Sequence, residues 1–157
     1  MGKKRVYIAY TGGTIGMRRV NGRYRPETGF LQAQMAANPA FLHADLPEYV
    51  IHEYDPLLDS ANMSPADWSR IAADICAHYA AYDGFIVLHG TDTMAYTSAA
   101  LAFMLEALDK PIIVTGSQIP LCEIRNDAQE NLLTALLLAA HEPIIPEVGL
   151  YFNDKLY

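Results

Sequence analysis

The chain has 157 residues, 52% of them hydrophobic, enough for one domain with a covered core. Its formal net charge of -7 argues against a nucleic-acid partner, whose affinity comes from clustered Lys and Arg, and no apolar run approaches membrane-spanning length. The two cysteines, Cys76 and Cys122, lack metal or redox spacing, and Val6 to Tyr10 is too short for a signal-peptide core, so a reducing, cytoplasmic compartment is expected.

Residues 4–10 read as a first strand that ends abruptly in Thr11-Gly12-Gly13-Thr14-Ile15-Gly16. The glycine- and arginine-rich stretch after it, through Gly29, is predicted as a long loop, the length of many functional lids. A short helix over 31–37 and a connection containing Pro and His lead to a strand over 49–54, which runs into Asp55-Pro56-Leu57-Leu58-Asp59-Ser60-Ala61-Asn62. The clearest helix follows: Ser64 as N-cap, Pro65 at the first helical position and Asp67 closing a capping box, with Trp68, Ile71, Ala72, Ile75 and Tyr79 at helical spacing and Gly84 as its stop. Strand 85–88, helix 94–108, strand 111–115, helix 127–140 and strand 148–152 then alternate. Near-continuous Val/Ile/Leu strands separated by helices predict an α/β domain with a mainly parallel sheet flanked by helices. The sequence stops at Asn153-Asp154-Lys155-Leu156-Tyr157, directly after a strand and with no covering helix, which reads as an interrupted protein.

Ligands of open parallel sheets bind at the carboxyl ends of the strands, and four hydroxyl-bearing loops fall on that edge here. Thr14 is a candidate nucleophile, because flanking glycines let the backbone approach a substrate and leave the hydroxyl unshielded; a tight turn is the structural alternative. The spacing fits neither the dinucleotide-binding glycine pattern nor the Walker A pattern, so phosphate binding is disfavoured. In His89-Gly90-Thr91-Asp92-Thr93-Met94, Thr91 offers a hydroxyl beside the Asp92 carboxylate, with helix capping as the alternative. His89 has no second ligand at metal spacing and is expected to be a hydrogen-bonded structural histidine; no metal site and no cofactor are expected. Asp59, Ser60 and the Ala61 backbone suit the ammonium and carboxylate of an amino acid, with a polar loop before a helix as the structural alternative, and Ser117 and Gln118 carry the same two readings. Tyr24 and the arginines around it are either simply solvated or part of a lid that closes over Thr14.

Thr11 to Gly16 together with His89 to Met94 resemble the two signature motifs of bacterial-type L-asparaginases. Asp59-Ser60 and Thr115-Gly116-Ser117-Gln118-Ile119-Pro120 are most similar to the cytoplasmic type I form, over essentially the whole chain. The resemblance implies the N-terminal domain of an asparaginase-like fold, and an amidohydrolase that converts L-asparagine to L-aspartate and ammonia through an acyl-threonine intermediate. By motif position it implies Thr14 as nucleophile, Tyr24 as a lid residue that activates or positions it, and Thr91 and Asp92 as part of a second Thr-Lys-Asp constellation, with Asp92 also gripping the substrate ammonium. Asp59, Ser60, Ala61 and Ser117 would complete the substrate site. It further implies a homo-oligomer, a dimer or tetramer, in the complete enzyme, with no nucleic acid and no membrane as partner.

Two departures stand out. Arg125-Asn126-Asp127-Ala128 replaces a usual Ser-Asp-Gly run, putting Asn126 and Ala128 near the site rim. The family's catalytic lysine and C-terminal domain fall beyond residue 157, and Lys155 does not match the lysine position. A glutamine or amidated aminoacyl-tRNA amidohydrolase, or a catalytically incomplete amino-acid-binding fragment, are the alternative expectations.

Overall fold

The computed structural model describes residues 2–157. Strand β1 (Arg5–Gly12) is buried from Val6 onward and is central to the sheet. It is followed by a two-stranded antiparallel hairpin, β2 (Met17–Val20) and β3 (Arg23–Pro26), then α1 (Phe30–Ala37) and β4 (Glu48–Leu58). Next come α2 (Pro65–His78), β5 (Gly84–Leu88), α3 (Met94–Met104), β6 (Ile112–Thr115), α4 (Ala128–Ala139), β7 (Val148–Phe152) and β8 (Lys155–Leu156). The main sheet has the order β4-β1-β5-β6-β7-β8, with every pairing parallel except β7 with β8.

Register puts Ile8 between Ile51 and Ile86, and Val87 between Ala9 and Val114. Because side chains alternate along a strand, Val6, Ile8, Tyr10, Ile86, Leu88 and Ile113 face one layer, packed with Leu31 and Met35 of α1 and Leu132, Ala135 and Leu136 of α4. Tyr7, Ala9, Phe85, Val87, Ile112 and Val114 face the other, against Ile71 and Ile75 of α2 and Leu101 of α3. Both faces of the strands are therefore dry, which is why they read as unbroken apolar runs. The chain leaves β1 across one face and β5 across the other, so the neighbouring loops after these strands diverge and open a crevice at the carboxyl edge.

The sequence-derived elements differ from the structure in four places. The long loop expected through Gly29 contains the β2–β3 hairpin, turned by Asn21 and Gly22 with φ of 50° and 78°. β4 continues past the cis Asp55–Pro56 bond to Leu58. α3 ends at Met104 rather than 108, because Leu105 turns extended and Ala107 adopts a positive φ, while Leu105 and Leu108 still pack on the core. Asn153 and Asp154 form a left-handed turn that folds Lys155 and Leu156 back on β7. At α2 the expected capping box is present, Ser64 Oγ and N both meeting Asp67, whose carboxyl is held below its usual range by those bonds. No described helix is long and apolar enough to cross a membrane.

Candidate active site

A cleft of about 390 Å³ opens where β1, β4, β5 and β6 end, lined by Gly13, Thr14, Asp59, Ser60, Gly90, Thr91, Asp92 and Gln118, with an apolar wall of Met17, Pro26, Leu57 and Leu58. Thr11 is not part of this lining. It is buried, and its Oγ1 donates to the Leu88 carbonyl at 2.8 Å, tying the end of β1 to β5. Thr14, two glycines further on, heads a short helical turn, Thr14–Gly16, on the cleft wall.

The glycines account for how closely the loops meet. A β-carbon on Gly12, whose φ is 143°, would stand 2.1 Å from the Leu58 carbonyl oxygen, and one on Gly90 would stand 2.3 Å from Ser60 Oγ. The loop after β1 thus meets the end of β4 main chain to main chain, and the Gly90 loop lies against the Ser60 side chain, which brings their hydroxyls into one space. Ser60 Oγ donates to Asp92 Oδ2 at 3.2 Å, and Thr93 Oγ1 donates to the Ser60 carbonyl at 2.7 Å, binding the loop after β4 to the loop after β5. Gln118 Nε2 donates to Thr91 Oγ1 at 3.2 Å, so the Thr91 hydroxyl keeps its own proton free to donate. The lining carries two carboxylates, Asp59 and Asp92, and no Lys, Arg or His among the described residues, which suits a ligand bearing an ammonium group.

Three expected residues stand elsewhere. The Ala61 N–H, expected to reach a ligand, donates to Asp59 Oδ1 at 3.0 Å, where Asp59 caps the Ser60–Asn62 turn and also accepts from Asn62 Nδ2 at 3.1 Å. Ser117 is buried, its Oγ donating to the Ile119 carbonyl at 2.8 Å, while its neighbour Gln118 faces the cleft. Tyr24 is exposed on β3 outside the lining. Its Oη donates to Glu123 Oε1 at 2.8 Å, and that bond is the main reason its phenol pKa is raised. The apolar wall escaped sequence reasoning; Met17 and Pro26 reach the cleft because the hairpin pairs them at its base.

His89 behaves as a structural group. It is fully buried, and burial pushes its pKa below the usual histidine range against a smaller opposing effect of its bond to Gly90. Nδ1 lies 2.7 Å from the Gly90 carbonyl, which can only accept, so the ring proton sits on Nδ1. Nε2 then accepts from Thr97 Oγ1 at 2.8 Å, and Thr97 in turn accepts from Trp68 Nε1 at 3.0 Å. This relay fixes the Gly90 peptide, and with it Thr91. Behind the last loop, the Asp127 carboxylate accepts from the Gln118 and Ile119 amides, both at 2.9 Å, and Asn131 Nδ2 donates to the Gly116 carbonyl at 2.9 Å. Asn126 closes the adjoining turn, with Nδ2 donating to the Glu123 carbonyl and Oδ1 accepting from Gln129 N, and Ala128 is buried in the core.

Comparison with known proteins agrees with this geometry. The family model described as "Asparaginase, N-terminal" matches residues 5–157. The chain is 60% identical over 157 residues to L-asparaginase 1 of Escherichia coli (strain K12), covering 100% of this chain and 46% of that protein. The crystal structure of L-asparaginase I from Vibrio cholerae superposes with a TM-score of 0.92 at 56% identity, covering 99% of this chain and 46% of that one. A probable cytoplasmic L-asparaginase from Campylobacter jejuni superposes with a TM-score of 0.80 at 29% identity, covering 98% and 46%. The chain spans about half the length of these relatives. On the family match and the identity across its full length, the chain belongs to the asparaginase N-terminal family.

Proposed function

We propose that this chain is the N-terminal catalytic domain of a cytoplasmic amidohydrolase that converts L-asparagine to L-aspartate and ammonia. The observation that carries the reading is the meeting of Thr14, Thr91 and Asp92 in one cleft whose charges are both negative. Asp92 holds the substrate ammonium: Ser60 Oγ occupies Oδ2 and leaves Oδ1 for the ligand. Asp59 contributes the second negative charge, and Ser60 stands beside the amino-acid end. Thr14 Oγ attacks the side-chain amide carbon; the C–O bond forms, the C–N bond breaks, and the hydroxyl proton ends on the departing nitrogen, which leaves as ammonia. Water then hydrolyses the aspartyl ester and restores Thr14. Thr91 positions the reacting group through its free O–H, and Tyr24 reaches Thr14 when the hairpin closes.

The lysine partner of Thr91 and Asp92 and a C-terminal domain belong to the remaining length that the relatives possess, and the complete enzyme assembles as a dimer or tetramer. The test is ammonia release from L-asparagine and L-glutamine by residues 1–157 joined to the C-terminal part of the Escherichia coli relative. Release from L-asparagine supports the reading. A folded chimera that releases none, or that acts on L-glutamine alone, sinks it.

A further inference from the structure

Two buried side-chain polar atoms have no hydrogen-bond partner among the described residues, Tyr10 Oη and Glu53 Oε1. Buried polar groups are almost always paired, and these two are neighbours: Tyr10 on β1 and Glu53 on β4 sit opposite each other in register. They lie beneath the two roots of the β2–β3 hairpin. Gly16, the residue before β2, packs so tightly on Tyr10 that a β-carbon there would stand 2.1 Å from Oη. Gly29, three residues after β3, donates its N–H to Glu53 Oε2 at 2.9 Å. The pair Met17 and Pro26 at the base of the hairpin supplies part of the cleft's apolar wall. The ion pair between Arg18 on β2 and Glu27, just past β3, joins the hairpin to its own root and does not reach the sheet beneath.

We propose that Glu53 is a positioning residue for the hairpin: by holding Gly29, with Tyr10 as the second seat under Gly16, it sets where Met17 and Pro26 stand and so shapes the substrate cleft from outside it. Gly16 adjoins Met17 and only Glu27 and Thr28 separate Gly29 from Pro26, so a change at Glu53 reaches the cleft wall through the hairpin's root, which is tied further out by Tyr24 to Glu123 and by Cys122 Sγ to the Met17 carbonyl. The buried phenol of Tyr10, its pKa raised chiefly by burial and then by Glu53, stays an O–H donor poised beside the free Oε1.

The test is amide hydrogen exchange, read by mass spectrometry on the 157-residue chain, with Glu53→Leu, Glu53→Gln and Tyr10→Phe. Glu53→Leu removes the Gly29 acceptor and is expected to speed exchange in residues 16–29 about tenfold, leaving the β5 and β6 peptides unchanged. Glu53→Gln keeps a carbonyl for Gly29 and turns its amide toward Tyr10, and is expected to exchange like the parent chain. Tyr10→Phe keeps the Gly29 bond and is expected to leave residues 24–29 unchanged. Unaltered hairpin exchange in Glu53→Leu, or a rise spread evenly over the chain, overturns the proposal. In the asparagine assay the same variant is expected to raise KM more than it lowers kcat, and the reverse split overturns it. Only this kinetic arm rests on the asparaginase reading; absence of turnover in the parent would sink that reading and leave the exchange result to decide this one.

Discussion

Gly13 presses on Gly90: at Gly13, where φ is 94°, a β-carbon would stand 2.7 Å from the Gly90 amide nitrogen and 2.8 Å from its Cα. Contact this close against main chain cannot be relieved by rotating a side chain. Gly13→Ala is therefore expected to cost about 2–4 kcal/mol, combining left-handed strain with displacement of the Gly90 loop. Gly22 has φ of 78° but open space around it, so Gly22→Ala is expected to cost only about 1 kcal/mol. Urea midpoints of the two variants check this; equal losses would show that strain alone acts at Gly13.

His89 predicts a pH dependence of stability. Its pKa in the folded chain is lowered from 6.5, so as pH falls below that value the unfolded chain takes up the proton first. Stability then drops with falling pH, continuing until the folded-state pKa is passed. His89→Gln removes this titration and also the Gly90 and Thr97 bonds, a loss of about 1–3 kcal/mol at pH 7.5. The gap between variant and parent is expected to narrow on acidification from pH 7.5 to 5.5, followed by denaturant unfolding.

Asp127 holds the Gln118 loop by two amides. Asp127→Ala leaves those N–H groups without their charged acceptor and is expected to lower stability by about 1.5–3 kcal/mol. Because Gln118 is bonded to Thr91, the same change is expected to raise KM for L-asparagine in the chimera, read from initial rates of ammonia release.

Tyr24 separates a structural role from a catalytic one. Its hydroxyl is exposed and bonded to Glu123, so Tyr24→Phe is expected to change stability by less than about 0.5 kcal/mol. If the hairpin brings it to Thr14 during turnover, kcat falls at least about tenfold. Unchanged kcat would confine Tyr24 to the surface.

The parallel core was legible because both faces of its strands are buried, so Val6–Tyr10, Phe85–Leu88 and Ile112–Thr115 leave an unbroken apolar record. The hairpin was not, because β3 is exposed throughout and β2 from Arg18 onward, so no burial pattern marks them; the Asn21-Gly22 pair, a strong hairpin signal, was the clue available. In the site, Thr14, Asp59, Ser60, Thr91 and Asp92 could be placed because each follows a strand end. Ala61 and Ser117 could not, since their bonds to Asp59 and Ile119 are local turns decided by backbone conformation. Likewise Tyr24 has a partner 99 positions away in Glu123, a pairing no local pattern announces.

The most direct test of the account is to trap the covalent intermediate. The chimera, acid-quenched during turnover of L-asparagine and digested, is analysed by mass spectrometry. An aspartyl ester is expected on Thr14, absent in Thr14→Ala along with ammonia release. An ester on Thr91 instead, or undiminished release by Thr14→Ala, would contradict it.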